Sequence, residues 1–88
     1  MATHPSALKR DRQRQKREKR NRTHRTAART KVRELLAVVA SGDPKAAAAA
    51  LAEAARLLDR AAAKGAMPKK RASRKISRLT LAVGKLRG

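Results

Sequence analysis

The sequence contains no cysteine, phenylalanine, tryptophan or tyrosine. Without cysteine the chain has neither a disulfide framework nor a thiolate metal site, and a reducing compartment is permitted. Without aromatic rings, unpaired nucleic-acid bases cannot stack on the side chains that usually receive them. The hydrophobic residues make up 41% of the chain and are mostly alanine. We therefore expect a thin core between closely spaced elements.

Acidic residues are also scarce. The chain has 6 Asp and Glu residues against 25 Lys and Arg residues, which gives a formal net charge of +19. A surface that only has to keep a protein dissolved mixes both signs of charge. The excess of cations therefore predicts a phosphate-rich partner, and nucleic acid is the first choice.

Groups suited to catalysis or metal binding are few. The only histidines are His4 and His24, and neither stands in a metal-binding or catalytic-triad pattern. His24 lies at the polar end of an apolar stripe, where packing or hydrogen bonding is the commoner role. No paired carboxylates are available for acid–base catalysis, so we expect no enzyme activity, no cofactor and no metal.

Long apolar runs are missing as well. No window approaches the roughly 18 apolar residues of a membrane-spanning helix, and residues 1–10 hold no apolar run of secretory length. We therefore expect a cytoplasmic protein without membrane association. A length of 88 residues leaves room for one small domain.

The first predicted helix follows a short tail at residues 1–5. Ser6 fits an N-cap, and no glycine or proline follows it before Gly42, so we expect a helix at about 6–40. Only its second half carries an apolar stripe at helical spacing. That stripe consists of Ala28, Val32, Leu35, Leu36 and Val39.

Two further helices are predicted at about 44–64 and 69–85. Gly42, Asp43 and Pro44 have the residue types of a helix end, an N-cap and a first helical position. The second stripe consists of Ala47, Leu51, Ala54, Leu58 and Ala61, and the third of Ala72, Ile76, Leu79, Val83 and Leu86. The short connections predict an all-α, up-down-up three-helix bundle in which the first and third helices are parallel.

The charge is concentrated in the first and third helices. Residues 1–31 carry 12 basic and 2 acidic residues, residues 32–65 carry 5 and 4, and residues 66–88 carry 8 and 0. From residue 9 to residue 26 there is no apolar side chain, and a helix that is polar all round is not held by packing. We expect the portion before His24 to fray in the free protein and to become helical when phosphates neutralise it, whereas the residues from His24 onward are anchored by the bundle. A solvated basic tail is the alternative interpretation.

Arginine and lysine bind phosphates, while short polar side chains hydrogen-bond phosphate or 2′-hydroxyl oxygens. In the absence of aromatic residues, recognition of folded RNA by shape is favoured over base reading. The candidate RNA-binding residues are Lys9, Arg10, Arg12, Arg14, Lys16, Arg17, Arg20, Asn21, Arg22, Arg25, Arg29, Lys69, Lys70, Arg71, Arg74, Lys75, Ser77 and Arg78. The side chains of Thr23, Thr26, Thr30 and Ser73 either join these contacts or face water.

Residues 59–79, DRAAAKGAMPKKRASRKISRL, contain a Lys-Gly turn followed by a helix rich in Lys, Arg and Ala that ends in Ser-Arg-Leu. This stretch resembles the bacterial small-subunit ribosomal protein S20 family. The matching residues are Lys64, Gly65, Lys69, Ala72, Arg74, Lys75, Ser77, Arg78 and Leu79. The opening is also similar to the family, at Ser6-Ala7, Lys9-Arg10, Arg12-Gln13, Lys16-Arg17, Arg20-Asn21-Arg22 and Thr30.

The resemblance implies a three-helix bundle that binds 16S rRNA directly and supports assembly of the small subunit. It places the protein in a bacterial ribosome, with a plastid ribosome as the alternative. Neighbouring small-subunit proteins are implied as partners, and no homo-oligomer is expected. Where the family usually has His and Asn, this chain has Pro68 and Lys70; the lysine keeps a phosphate contact and the proline resets the start of the third helix.

Two other functions fit parts of the pattern. A nucleoid-type DNA-binding protein would share the charge and the helices. A basic amphipathic helix at an anionic membrane would share the charge, but residues 9–26 lack the Trp, Phe or Leu face that such helices bury.

Overall fold

The computed structural model describes residues 5–87, so residues 1–4 of the predicted tail at 1–5 lie outside the described part. It contains three helices, α1 (Pro5–Ser41), α2 (Pro44–Ala63) and α3 (Lys69–Arg87), and no strand over the described range. The all-α, up-down-up architecture is confirmed. Helix α2 packs against both of the other helices, whereas α1 and α3 touch each other little. An open groove is therefore left between α1 and α3.

The turn between α1 and α2 has the predicted chemistry. Gly42 ends α1 with φ +82°, a backbone conformation that costs glycine nothing. The Asp43 carboxylate then accepts hydrogen bonds from the backbone N–H groups of Lys45 and Ala46 at 3.1 and 3.3 Å. Pro44 follows in the first turn of α2, where its missing N–H is no loss. These contacts fix the reversal of chain direction.

The end of α2 is a Schellman motif. The N–H of Gly65 donates to the carbonyl of Ala62 at 3.1 Å, and the N–H of Ala66 donates to that of Ala61 at 2.8 Å. Gly65 has φ +74°, as this motif requires. Helix α3 begins at Lys69, four residues after Gly65, and the Pro68 carbonyl accepts its first backbone bond from Ala72 at 3.1 Å. The proline therefore sits immediately before α3 and starts it at Lys69.

The core is thin and rich in alanine. Leu35 is the largest fully buried side chain, and the other large aliphatic residues that are buried are Val32, Leu58, Leu79 and Val83. Its alanines are Ala28, Ala47, Ala54 and Ala72, and Ile76, Leu51 and Leu86 pack partly buried around its edge. Small side chains let the helices approach closely, as the composition predicted. The three predicted stripes therefore face one another.

Two details of the sequence-based prediction are wrong. Leu36 is 50% exposed, because one helix covers only one side of α1 and Leu35 occupies that side. Ser6 is not an N-cap, because α1 already includes Pro5. Proline is favoured in the first turn of a helix, because its missing N–H is not needed there. Helix α1 therefore begins at Pro5, one residue before Ser6.

Helix α1 extends well beyond the bundle. We call residues 6–20 the arm; every residue in it is exposed except Asp11, which is half-buried. At about 1.5 Å per residue the arm projects roughly 20 Å, and the protein measures 66 Å along its longest axis against 20 and 15 Å across. The arm has no packing partner among the described residues.

Candidate nucleic-acid interface

The cations of the arm point in all directions around α1. Those that were predicted to bind RNA are all exposed: Lys9, Arg10, Arg12, Arg14, Lys16, Arg17 and Arg20. The neighbouring Arg22 is exposed as well. Since the arm touches no other helix, phosphates can approach it from any side. Its geometry suits insertion between several polyanionic segments better than docking on one flat surface.

One arm cation is already engaged within the protein. The guanidinium of Arg14 lies 2.8 Å from the Asp11 carboxylate, which also accepts from the Gln15 amide at 3.3 Å. Arg14 is 69% exposed, so the pair contributes little to stability. The other two ion pairs within residues 5–87 are Lys31–Glu34 and Arg56–Glu53, and neither involves a candidate residue. The remaining candidate cations therefore have no carboxylate within ion-pair distance in the described part of the chain.

A second basic surface lies in the groove between α1 and α3. This cationic groove has a volume of about 650 Å³ and is closed at one end by the α2–α3 turn. Six of its twelve lining residues are basic and none is acidic: Arg25, Arg29, Arg71, Arg74, Lys75 and Arg78. Helical spacing explains the arrangement, because residues three, four and seven apart share one face of a helix. All six were candidates from the sequence.

The other lining residues of the cationic groove are mainly apolar. Ala28 and Val32 of α1 and Leu58 of α2 form its floor, while Ala66, Met67 and Pro68 stand at the turn end. The floor residues are nearly closed to solvent. Met67 is half-buried and Pro68 is exposed, so apolar surface is available mainly at the turn.

Arg25 connects the two sides of the groove. Its guanidinium donates a hydrogen bond to the backbone carbonyl of Ala66 at 3.5 Å, across 41 residues of sequence. A guanidinium carries five N–H donors, so four remain for a ligand. The contact places Arg25 against the α2–α3 turn, at the closed end of the groove.

The remaining candidates are less uniform. Lys69 and Lys70 are exposed at the start of α3, beside the groove, and Ser77 is exposed on the same helix. Asn21 is half-buried, and its side-chain oxygen is shielded from solvent without a hydrogen-bond partner within the described residues. An RNA contact from Asn21 therefore requires its amide nitrogen or a change of rotamer. The Thr23 hydroxyl donates to the carbonyl of Lys19 at 3.0 Å and retains only acceptor capacity.

Sequence reasoning missed the apolar part of this surface. Ala28, Val32 and Leu58 were assigned to the core alone, and Met67 was given no role in binding. The signal that was available is the position of Arg25 and Arg29, which stand next to the α1 stripe and not opposite it. Lys19 was also left out, although it is exposed within the arm.

The described residues form neither a metal cluster nor a membrane span. No three His, Cys, Asp or Glu side chains come together there as a metal ion would require. None of the three helices, as far as they are described, combines the length and the apolar character needed to cross a membrane.

Comparison with known proteins gives a consistent result. The family model described as "Ribosomal protein S20" matches residues 2–84. A protein of Nitratidesulfovibrio vulgaris (strain DSM 19637 / Miyazaki F), named small ribosomal subunit protein bS20, is 50% identical over 84 residues, covering 96% of this chain and 97% of the relative. The protein of that name from Anaeromyxobacter sp. (strain K) is 47% identical over 85 residues, covering 97% and 93%. That of Citrifermentans bemidjiense is 45% identical over 86 residues, covering 98% and 99%.

Proposed function

The chain belongs to the ribosomal protein S20 family, and we propose that it is a structural component of the bacterial small ribosomal subunit that binds 16S rRNA directly. The observation that carries this proposal is the cationic groove, six basic side chains without an acidic one, on a chain of that family. The role is structural and not catalytic. It places the protein in the ribosome of the bacterial cytoplasm.

The two basic surfaces have different tasks in this proposal. The arm inserts between RNA segments, because its charge faces every direction and phosphates can surround it. The groove and the adjacent Lys69 and Lys70 dock on one side of the bundle. Helix α2 holds α1 and α3 apart and carries little net charge itself. A protein that touches RNA at both ends draws separate segments together, which is a contribution to subunit assembly.

The contacts run mainly through phosphates, since lysine and arginine neutralise them and release counterions. The proposed phosphate-binding residues are Lys9, Arg10, Arg12, Arg14, Lys16, Arg17, Arg20, Arg22, Arg25, Arg29, Lys69, Lys70, Arg71, Arg74, Lys75 and Arg78. Ser77, and Asn21 through its amide nitrogen, add hydrogen bonds. We also propose that neighbouring small-subunit proteins contact the chain and that it does not pair with a second copy of itself.

Competition between nucleic acids tests the proposal. Labelled 16S rRNA is bound to the full chain at one fixed salt concentration and then displaced by an unlabelled competitor. Counted in phosphates, much less unlabelled 16S rRNA than DNA duplex should be needed for the same displacement. Counterion release alone does not distinguish the two polymers, so the difference measures recognition of RNA shape. Equal displacement by DNA and rRNA would contradict the proposal.

The arm should gain protection from RNA. In the free protein we expect its backbone amides to exchange faster than those of residues 28–39, because only local hydrogen bonds hold this part of α1 while like charges repel at i,i+4. Addition of 16S rRNA should slow exchange in the arm more than in α2. Hydrogen–deuterium exchange read by mass spectrometry measures both, and full protection of the arm without RNA would refute the expectation.

A further inference from the structure

We propose that the cationic groove holds one unpaired, extrahelical nucleotide of the RNA, with its base against the apolar turn end and its flanking phosphates on the two basic rims. This inference rests on the proposed function and adds to it the kind of RNA feature that the groove receives. The protein would then recognise a break in a paired stem and not only a regular array of phosphates.

The composition of the groove is the first reason. Phosphate groups need only the rims, where Arg29 on α1 faces Arg74 and Arg78 on α3. Between the rims, however, the lining includes the exposed apolar surface of Met67 and Pro68. This surface has no hydrogen-bond donor, so a phosphate placed against it would lose its hydration without a replacement. A base presents a flat, largely apolar face together with polar edges. Such a ligand matches an apolar wall enclosed by hydrogen-bond donors.

The residue types are the second reason. Five of the six basic side chains are arginines, and a guanidinium plane stacks on a base face as well as binding phosphate. Arg25 lies at the turn end, where its guanidinium donates to the Ala66 carbonyl at 3.5 Å. Methionine sulfur makes favourable contacts with aromatic rings. Arg25 and Met67 thus replace the aromatic side chains that the sequence lacks.

The size of the groove is the third reason. Its volume of about 650 Å³ falls in the range of roughly 300–1,000 Å³ that is usual for small-molecule sites. A paired stem keeps its bases stacked inside, so it presents phosphates, 2′-hydroxyls and base edges to the protein but no free base face. A single flipped nucleotide is the part of an RNA that fits a site of this size.

Three RNA hairpins with the same stem test the inference. The first is fully paired, the second carries one bulged adenosine, and the third carries the same bulge with its base removed. We expect the full chain to bind the bulged hairpin about tenfold more tightly than the abasic one, since stacking of one base is worth about that much. The abasic and paired hairpins should bind alike. Affinities are measured at one salt concentration near the physiological value, so that counterion release contributes equally to all three.

The variant Met67→Ala links the preference to the groove, and Leu81→Ala is its control, because Leu81 is 66% exposed on α3 and does not line the groove. Met67→Ala should reduce the preference for the bulged over the abasic hairpin without changing the salt dependence, whereas Leu81→Ala should leave both unchanged. Thermal melts establish that both variants are folded. Equal affinity for bulged and abasic hairpins, or a preference unaffected by Met67→Ala, would overturn the inference. The proposed function is tested separately: it would be contradicted if DNA and 16S rRNA competed equally for the protein.

Discussion

Replacing Leu35 with alanine is expected to lower the free energy of unfolding by about 2 to 5 kcal/mol. Leu35 has no exposed surface and is the largest side chain buried so completely. Half of the other buried residues in its cluster are alanines, which have no rotamers with which to fill a vacated volume. The cavity therefore stays open. A domain of this size has little stability to spare, so the variant should be largely unfolded at physiological temperature.

The adjacent residue provides a matched control. Leu36→Ala removes the same atoms from a side chain that is 50% exposed, and the expected change is within about 0.5 kcal/mol. Urea unfolding of the two variants and the parent, followed by far-ultraviolet circular dichroism, compares them directly. Equal shifts of the unfolding midpoint for both variants would show that the packing side of α1 is wrongly identified.

The fold could be predicted where the deciding contacts are local. Gly42, Asp43 and Pro44 determine the first turn through their own backbone and capping chemistry, so the sequence was sufficient there. The choice between Leu35 and Leu36 is different. Both belong to one apolar stripe, and only the position of α2 decides which of them is covered. The apolar pattern of α1 alone does not predict where α2 packs against it.

The candidate site could be predicted as a set of residues but not as a shape. Arg25 and Arg74 were both chosen because arginine binds phosphates. That both line one groove depends on the Schellman turn at Gly65, which returns the chain to the side of α1. The same turn brings Met67 between the basic rims. The sequence shows only that Met67 is an apolar residue beside a helix break, and this does not predict its position between two basic rims.

The two parts of the protein depend on different partners. The bundle holds residues 28–39 of α1 through the core, whereas the arm has only its own backbone bonds and the exposed side-chain contacts of Asp11 with Arg14 and Gln15. In the proposed function, phosphates remove the repulsion between the arm cations and so stabilise the helix that binds them. We therefore expect binding and folding of the arm to be coupled, and the groove to be formed by the bundle before RNA arrives. We expect the groove to dock first and the arm to follow.

The triple variant Arg71→Ala, Arg74→Ala and Arg78→Ala should weaken binding of 16S rRNA by about a hundredfold or more at low salt, because hydrogen bonds to charged groups contribute roughly 1.5–3 kcal/mol each. It should also reduce the slope of log affinity against log salt by about 2 to 3 units, one for each lost phosphate contact. The three arginines are exposed on one face of α3, and alanine favours helix at least as well, so the fold should persist.

A second triple variant separates the groove from net charge. Arg33→Ala, Lys45→Ala and Arg60→Ala remove the same three charges from exposed positions that belong neither to the groove nor to the arm. Long-range attraction falls equally in both variants, but only the groove variant loses contacts, so the control should retain a salt slope within about one unit of the parent. Filter binding of 16S rRNA at several salt concentrations measures both slopes. If the two variants lose affinity and slope equally, the groove has no special part in binding and the cations act only through their total charge.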